Sequence, residues 1–252
     1  MNNPYENAAH ALRNARNPLA VTGAGISVES GIPAFRGEAG IWARYPIEEY
    51  AVLDAFLANP EKVWKFWYEL GGMLGECKPN PGHYALAQLE KMGMCRAVVT
   101  QNIDNLHEEA GSTWVIEYHG NSRRMVCMDC GDCVPLDLSA KPPGGGVPRC
   151  RCGGLMKPDV ILFGEMIPPD ALVESERLAR TCDAMIIVGT SAQVYPAAQL
   201  PYTAKQNGAF IIEANTEKTD FTRTITDAFL EGPAGETLPE LVRYIESGDV
   251  SS

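Results

Sequence analysis

The sequence predicts an α/β fold in which helices cover both faces of a parallel sheet, with a cysteine-rich segment inserted into it. Short apolar runs alternate with amphipathic segments along the chain, which is the pattern of such sheets. Between residues 121 and 157 the alternation stops, and this stretch holds five of the eight cysteines. The 252 residues, 45% of them hydrophobic and 21% charged, are enough for one large domain with a smaller insertion.

The predicted elements follow from local periodicity and from the residues that interrupt it. Amphipathic spacing indicates helices, short continuous apolar runs indicate buried strands, and glycine or proline separates them. Aromatic residues at helical spacing between 41 and 74 predict helices that pack around an aromatic core. The predicted strands are 19–22, 97–100, 115–118, 160–163, 184–188 and 209–212, and the predicted helices are 5–15, 41–74, 83–92, 170–180 and 196–206.

Composition excludes several classes of protein. The chain carries 21 Lys and Arg against 32 Asp and Glu, a net charge of −11, which argues against a basic nucleic-acid-binding protein. The first residues carry Glu6 and no apolar run, and the longest charge-free stretch, 184–204, is broken by glycine and proline. Neither an export signal nor a membrane span is therefore expected, and we expect a cytoplasmic protein whose thiols stay reduced.

Two close pairs of cysteines predict a structural zinc site. Cys127 and Cys130 are separated by two residues, and Cys150 and Cys152 by one. Four thiolates surround Zn²⁺ tetrahedrally in closed structural sites, and the segment has no histidine that would suggest a catalytic metal. A redox pair is the alternative, and Cys133 could replace Cys130 because Cys130-x2-Cys133 has the same spacing.

Glycine and polar residues at strand ends predict a nucleotide cleft. The first predicted strand breaks into a glycine turn, although Val28 stands where the dinucleotide fingerprint has its third glycine. Arg36 could supply a positive charge for phosphate, and His119, which ends a strand, is a candidate base. Carboxyl ends of parallel strands meet at one edge of a sheet, where ligands bind. The polar strand ends are Gln101-Asn102-Ile103-Asp104, Gly189-Thr190-Ser191 and Asn215-Thr216-Glu217.

Taken together, these motifs resemble the sirtuin family, in its bacterial and archaeal branch. The resemblance runs in order from Pro18 to Ile245 and implies a Rossmann-like NAD-binding domain at 1–37, 82–120 and 158–252. It implies a smaller domain made of a helical insertion at 38–81 and a zinc-ribbon insertion at 121–157. The matching segments are Gly23-Ala24-Gly25-Ile26-Ser27, Glu29 to Gly37, Thr100 to His107, His119-Gly120, the four cysteines, Phe163-Gly164-Glu165, Gly189-Thr190-Ser191, Val194 to Ala197 and Asn215-Thr216-Glu217.

The resemblance implies an NAD-dependent protein lysine deacetylase or deacylase. Such an enzyme moves the acyl group from lysine to ADP-ribose and releases nicotinamide and O-acyl-ADP-ribose. His119 would be the general base, with Asn102 and Asp104 as further catalytic residues. The implied cofactors are one structural Zn²⁺, on Cys127, Cys130, Cys150 and Cys152, and NAD as co-substrate. The implied partners are acyl-lysine proteins or peptides, with neither a membrane nor nucleic acid.

The resemblance also assigns the remaining site residues. Phe35 would shield the reactive ribose from water, and the substrate peptide would add as a strand between Phe163-Gly164-Glu165 and the segment at Val194. The residues expected at NAD are Gly23, Ala24, Gly25, Ile26, Ser27, Ile32, Pro33, Phe35, Arg36, Trp42, Gln101, Asn102, Ile103, Asp104, Gly189, Thr190, Ser191, Asn215, Thr216, Glu217 and Ala234.

One departure from the family bears on the acyl group. Members that remove succinyl or malonyl groups carry a Tyr-x-x-Arg pair that binds the acyl carboxylate. Trp67 and Leu70 stand at those positions in the acyl pocket here, so a buried carboxylate would have no cation. We expect removal of acetyl and other neutral acyl groups instead.

Three other functions are compatible with parts of the pattern. An NAD-dependent oxidoreductase would need the glycine that Val28 replaces. A non-catalytic module that binds zinc and ADP-ribose would not need His119, Asn102 and Asp104 together. A protein ADP-ribosyltransferase would use the same NAD cleft. Substrate proteins, preferred acyl length and oligomeric state do not follow from the sequence.

Overall fold

A computed structural model describes residues 3–35, 40–138 and 146–248. The centre of the fold is a parallel sheet. Its strand order is β3-β2-β1-β7-β8-β9, and a small antiparallel sheet has the order β5-β4-β6. The strands are β1 (Pro18–Thr22), β2 (Ala97–Thr100), β3 (Val115–Glu117), β4 (Gly120–Cys127), β5 (Cys133–Pro135), β6 (Met156–Val160), β7 (Ala184–Val188), β8 (Phe210–Asn215) and β9 (Ala228–Glu231).

The helices begin where the sequence supplies caps. Asn59, Asn80 and Thr219 each accept a hydrogen bond from a backbone N–H at the start of a helix, and proline at the first helical position follows the first two. A 3-10 helix (Ala24–Ser30) follows β1. The α-helices are α1 (Pro4–Asn14), α2 (Ile41–Arg44), α3 (Ile47–Tyr50), α4 (Leu53–Ala58), α5 (Pro60–Leu74), α6 (Pro81–Lys91), α7 (Leu106–Ala110), α8 (Pro169–Thr181), α9 (Gln199–Gln206), α10 (Asp220–Thr224) and α11 (Ala234–Ser247).

The chain builds the parallel sheet outward from β1 in two directions. It first adds β2 and β3 on one side and later β7, β8 and β9 on the other, so the order reverses between β1 and β7. Every residue of β1, β2 and β7 is buried, because α1, α6 and α11 pack on one face and α8 and α9 on the other. Ligands of such sheets bind beyond the carboxyl ends of the strands at the point of reversal.

The aromatic helices and the small sheet share a separate hydrophobic cluster. Trp64, Phe66 and Trp67 of α5 are buried in it together with apolar residues of the small sheet and its loops. The Trp64 indole donates a hydrogen bond to the Met156 carbonyl of β6 at 3.0 Å. The predicted aromatic core is therefore confirmed, and it joins the two insertions into one smaller unit.

One sequence prediction of secondary structure is wrong, and some elements were not predicted. The strand predicted at 160–163 is wrong: β6 ends at Val160 and pairs with β4 in the small sheet. The next residues cross to the helical insertion, where the Phe163 N–H donates to the Ala51 carbonyl at 2.8 Å. Strand β9 and helix α11 were not predicted. The first is four residues long, and the second carries Pro239 in its interior. Among the described residues, no helix is long and apolar enough to cross a membrane.

Candidate active site

A cleft of about 760 Å³ lies beyond the carboxyl ends of the parallel strands. Its volume is in the range of small-molecule sites. Most of the residues expected at NAD or at the peptide line it: Gly23, Ala24, Gly25, Phe35, Trp42, Trp67, Gln101, Asn102, Ile103, His119, Phe163, Gly164, Glu165, Gly189, Thr190, Ser191, Val194, Asn215, Thr216, Glu217 and Ala234.

Glycines allow the turns after β1 and β7 to touch. The Gly25 N–H donates to the Gly189 carbonyl at 2.8 Å. A Cβ on Gly25 would lie 2.6 Å from the Gly189 Cα, and Gly189 itself has a φ of +58°. Side chains at either position would separate the two turns. Bare backbone amides at the point of strand reversal are what a diphosphate requires.

His119 lies in the cleft two residues after β3, with its ring held by the backbone. Its Nδ1 is 3.1 Å from the Gln101 carbonyl oxygen, so the neutral ring carries its proton on Nδ1 and a lone pair on Nε2. Burial lowers the pKa of His119, while the hydrogen bond to the Gln101 carbonyl acts in the opposite direction. The ring is therefore neutral at pH 7 and can accept a proton.

Beside His119, polar side chains form a connected group behind the glycine turn. Asn102 Nδ2 donates to the Ser27 hydroxyl at 3.1 Å, and Ser27 donates to Asp104 Oδ2 at 2.7 Å. Burial raises the pKa of the Asp104 carboxyl. The Oδ1 of Asn102 is buried and has no partner among the described residues, so it is an acceptor for a ligand donor such as a carboxamide N–H.

A second cavity of about 10 Å³ lies next to this group and is lined by four of the expected residues that do not line the cleft. Ser27, Ile32, Leu70 and Asp104 line it, and it shares Asn102 with the main cleft. Ile26 is fully buried. Pro33 is not among the described residues that line the cleft or the second cavity. Arg36 lies outside the described residues.

At the other end of the cleft, a buried carboxylate supports the loop after β8. Glu213 accepts hydrogen bonds from the hydroxyls of Thr219, Thr222 and Thr226, at 2.5, 2.7 and 2.7 Å. Asn215 Nδ2 donates to the Thr190 carbonyl at 3.1 Å, which ties the turns after β7 and β8 together. Sequence reasoning missed several residues that line this end: Glu29, Lys218, Asp220, Arg223, Gly232 and Pro233. The Gly-Pro pair that follows β9 was the available signal.

A buried lysine, Lys157, fixes the segment Phe163-Gly164-Glu165 that is expected to bind the peptide. Lys157 Nζ donates to the Val160 carbonyl at 2.8 Å and lies 3.1 Å from Glu165 Oε2. The same carboxylate accepts the Leu162 N–H at 2.8 Å. These contacts fix the turn that carries Phe163, whose side chain is 43% exposed at the cleft.

The cysteines expected to bind zinc come together in the small domain. The sulfur atoms of Cys127, Cys130, Cys150 and Cys152 all lie within 4.8 Å of one another, with Cys127 and Cys152 3.5 Å apart. Tetrahedral Zn²⁺ with bonds of about 2.3 Å separates its ligands by about 3.8 Å, so the four thiols fit the metal. Cys133 lies on β5 outside this group, which answers the question that the spacing left open.

Comparison with known proteins decides the family. The family model described as "Sir2 family" matches residues 23–196, which is more than half of the chain. The chain belongs to the Sir2 family. This finding confirms the resemblance to the sirtuins, and the matched segment contains the glycine turn, His119 and all four zinc-site cysteines.

Relatives of this Sir2-family protein match it over nearly their whole length. It is 46% identical to NAD-dependent protein deacylase 2 of Pyrobaculum aerophilum over 241 residues, 95% of each chain. It is 48% identical to the NAD-dependent protein deacylase of Pyrococcus furiosus, with 93% of this chain and 95% of that protein covered. A mutant Sir2 homologue solved with ADP-ribose superposes with a TM-score of 0.93 at 42% identity, covering 100% and 99% of the two chains.

The Sir2-family cleft fits NAD on its own geometry. The glycine turns leave room for a diphosphate, and the unpartnered Asn102 Oδ1 can accept from the carboxamide of nicotinamide. Asn215 and Glu217 line the far end, where a ribose would offer its hydroxyls. His119 lies at the opposite end, after β3.

Proposed function

We propose that this protein is an NAD-dependent protein lysine deacylase. With one water molecule as co-reactant, it transfers the acyl group of an acyl-lysine side chain to ADP-ribose and releases nicotinamide and the free lysine. The observation that carries the proposal is His119, a neutral imidazole in a cleft that fits NAD, with its Nδ1 bonded to the Gln101 carbonyl. Relatives named NAD-dependent protein deacylase support it.

His119 acts as the general base through Nε2. The bond from Nδ1 to the Gln101 carbonyl leaves the Nε2 lone pair free to accept a proton from a ribose hydroxyl. When the ring becomes charged, the same carbonyl stabilises the Nδ1–H. Because burial lowers the pKa of His119, kcat/KM falls only when the pH drops below the ordinary histidine value near 6.5.

The other expected residues bind and orient NAD, which supplies the electrophilic ribose carbon and the nicotinamide leaving group. Asn102 and Asp104 hold the nicotinamide and its ribose, with Ser27 fixing both side chains. Phe35 stacks on Trp42 with ring centroids 5.4 Å apart, and covers this end of the cleft against water. The adenosine half lies along Gly189-Thr190-Ser191, Asn215-Thr216-Glu217 and Ala234. Ile26, Ile32, Pro33 and Arg36 keep their expected roles in or behind the NAD site as part of the proposal.

The peptide adds as a strand between Phe163-Gly164-Glu165 and Val194, and its acyl group enters beside Trp67. Leu70, one turn further along α5, lies at the small cavity and offers no charge. The cations among the described residues of the cleft are Lys218 and Arg223, which follow β8. Because β8 is four strands from β3 in the sheet, or about 19 Å, these cations lie far from His119. A succinyl or malonyl carboxylate would therefore be buried without a cation.

The test compares matched peptides and matched variants. A peptide carrying acetyl-lysine is incubated with NAD, and its mass and the released nicotinamide are followed. We expect NAD-dependent loss of the acetyl group, a much lower kcat/KM on the succinyl peptide, and no turnover by His119→Ala. His10→Ala, on an exposed position of α1, is the control for the loss of a histidine.

Three outcomes would contradict parts of this proposal. NADH formation would indicate an oxidoreductase, and label from NAD on the protein itself would indicate an ADP-ribosyltransferase. Equal or higher activity on the succinyl peptide would contradict the neutral acyl pocket.

We further propose the domain limits and the location that the resemblance implies. The NAD-binding domain comprises 1–37, 82–120 and 158–252, with insertions at 38–81 and 121–157. Four reduced thiols suit the cytoplasm, where disulfides are rare. Limited proteolysis that cuts first within 121–157 after zinc removal would support these limits.

A further inference from the structure

The indole of Trp67 lines the cleft and carries a buried N–H that has no acceptor among the described residues. Trp67 is 4% exposed and lines the same cleft as His119 and Phe163. Its Nε1 is buried and finds no acceptor among the described residues. Buried polar groups are nearly always paired in folded proteins, and an exception calls for an explanation.

Trp64, one turn earlier on the same helix, shows that the fold can satisfy a buried indole. It is 1% exposed, and its Nε1 donates to the Met156 carbonyl at 3.0 Å. Trp64 is not among the described residues that line the cleft. The two tryptophans therefore differ in one respect that concerns a ligand: the satisfied indole lies in the core, and the unsatisfied one lies at the cleft.

The surroundings of Trp67 select a neutral acceptor. Its cluster includes Ile103, Val160 and Leu162, which also line the cleft and offer no charged group. The nearby carboxylate of Glu165 is already paired with the Lys157 ammonium and accepts the Leu162 N–H. A ligand carboxylate would need a cation here, whereas a hydroxyl or keto oxygen needs only one donor.

We propose that Trp67 Nε1 binds an oxygen on the acyl chain, so that the protein prefers neutral acyl-lysines with a hydroxyl or keto oxygen beyond the amide carbonyl. This inference rests on the proposed deacylase function and names its substrate class. Trp67 is then a specificity-determining residue, because its N–H raises kcat/KM for 3-hydroxyacyl or 3-oxoacyl groups above that for alkyl chains of the same length. The site gains a hydrogen bond with the oxygenated chain and leaves the indole unpaired with the plain one.

The test uses two peptides that differ in a single oxygen. Butyryl-lysine and 3-hydroxybutyryl-lysine, the latter as each stereoisomer, are offered to the wild-type protein with NAD, and kcat/KM is measured for each. We expect about a tenfold preference for one stereoisomer of the hydroxylated chain, the size of one net hydrogen bond. In Trp67→Phe the ratio falls to about one, whatever the absolute rates. In the control, Trp64→Phe, the ratio stays as in the wild type.

A second measurement covers the case in which Trp67→Phe does not fold. In wild-type protein with isotope-labelled tryptophan, the indole N–H resonance of Trp67 shifts with the hydroxylated peptide and not with the butyryl peptide. A wild-type ratio near one for both stereoisomers, or a preference that persists in Trp67→Phe, overturns the inference while butyryl turnover leaves the deacylase function standing. Absence of turnover on acetyl, butyryl and hydroxybutyryl peptides overturns the function and the inference with it.

Discussion

Two buried histidines beneath the glycine turn predict that mild acid destabilises the fold. His83 and His107 are 0% and 1% exposed, and their rings lie 5.0 Å apart. His107 Nε2 lies 2.9 Å from the Thr22 hydroxyl, and His83 Nε2 lies 3.4 Å from the hydroxyl of Ser27. Burial lowers the pKa of His83 to about 4. Burial and the neighbouring His83 lower the pKa of His107 to about 3.

The sign and size of the effect follow from proton linkage. In the unfolded chain both histidines take up a proton near pH 6.5, whereas in the folded chain both stay neutral until the pH is far lower. Their contribution to stability is therefore present above pH 6.5 and is lost as the pH falls towards the folded values. Each histidine lowers the free energy of unfolding by about 1.4 kcal/mol per pH unit in that window, which amounts to about 2 kcal/mol at about pH 5. Together the two histidines lower it by about 4 kcal/mol. This is a large share of the 5–15 kcal/mol typical of domains.

Urea unfolding at about pH 7 and about pH 5, with zinc in excess, measures this loss. The wild type and His10→Asn, which changes an exposed histidine of α1, should lose the same free energy of unfolding. His107→Asn should lose about 2 kcal/mol less, even if it is less stable at both values. An equal loss in His107→Asn and in the wild type would refute the reasoning, since the buried histidines would then not be what acid titrates.

Three further substitutions test other contacts. Gly25→Ala should lower the melting temperature and weaken NAD binding in calorimetry, since its Cβ would lie 2.6 Å from the backbone of the turn after β7. Gly72→Ala in α5, where a Cβ meets nothing within 4 Å, should change neither the melting temperature nor NAD binding. If the two variants behave alike, the close approach of the turns after β1 and β7 is not what Gly25→Ala disturbs. Cys130→Ser should abolish the one zinc per chain seen by atomic absorption, whereas Cys133→Ser on β5 should retain it; the reverse result would contradict the ligand assignment. Glu213→Gln should destabilise the fold by about 2 kcal/mol in urea and raise KM for NAD more than it lowers kcat, because three threonine hydroxyls lose their carboxylate. An unchanged KM would remove Glu213 from the support of the cleft.

Much of the cleft could be predicted because the carboxyl ends of parallel strands lie next to one another along one edge of the sheet. Gly23, Gln101 and Gly189 are far apart in the chain, but each follows a buried strand, and the strands all point the same way. Once the short apolar runs are recognised as parallel strands, the residues after them must share an edge. The cysteine pairs are equally local, since their spacing already suits one ion.

The remainder depends on tertiary contacts that no local pattern contains. The apolar run at 160–163 looks like a strand of the main sheet, but the partner of β6 is β4, and the run leaves β6 to bond with Ala51 and Leu53. Trp67 and Leu70 are equivalent by spacing, and only the packing of α5 puts one at the cleft and the other at the small cavity. The choice between Cys130 and Cys133 likewise depends on how β4 turns into β5.

The distribution of products from one reaction tests the central claim most directly. With an acetyl-lysine peptide and NAD, the free lysine peptide, nicotinamide and O-acetyl-ADP-ribose are quantified together in the wild type and in His119→Ala. The proposed chemistry predicts equal amounts of all three from the wild type, and neither free lysine peptide nor O-acetyl-ADP-ribose from a folded, zinc-loaded His119→Ala protein. Free acetate formed without consumption of NAD, or wild-type turnover in His119→Ala, would contradict it.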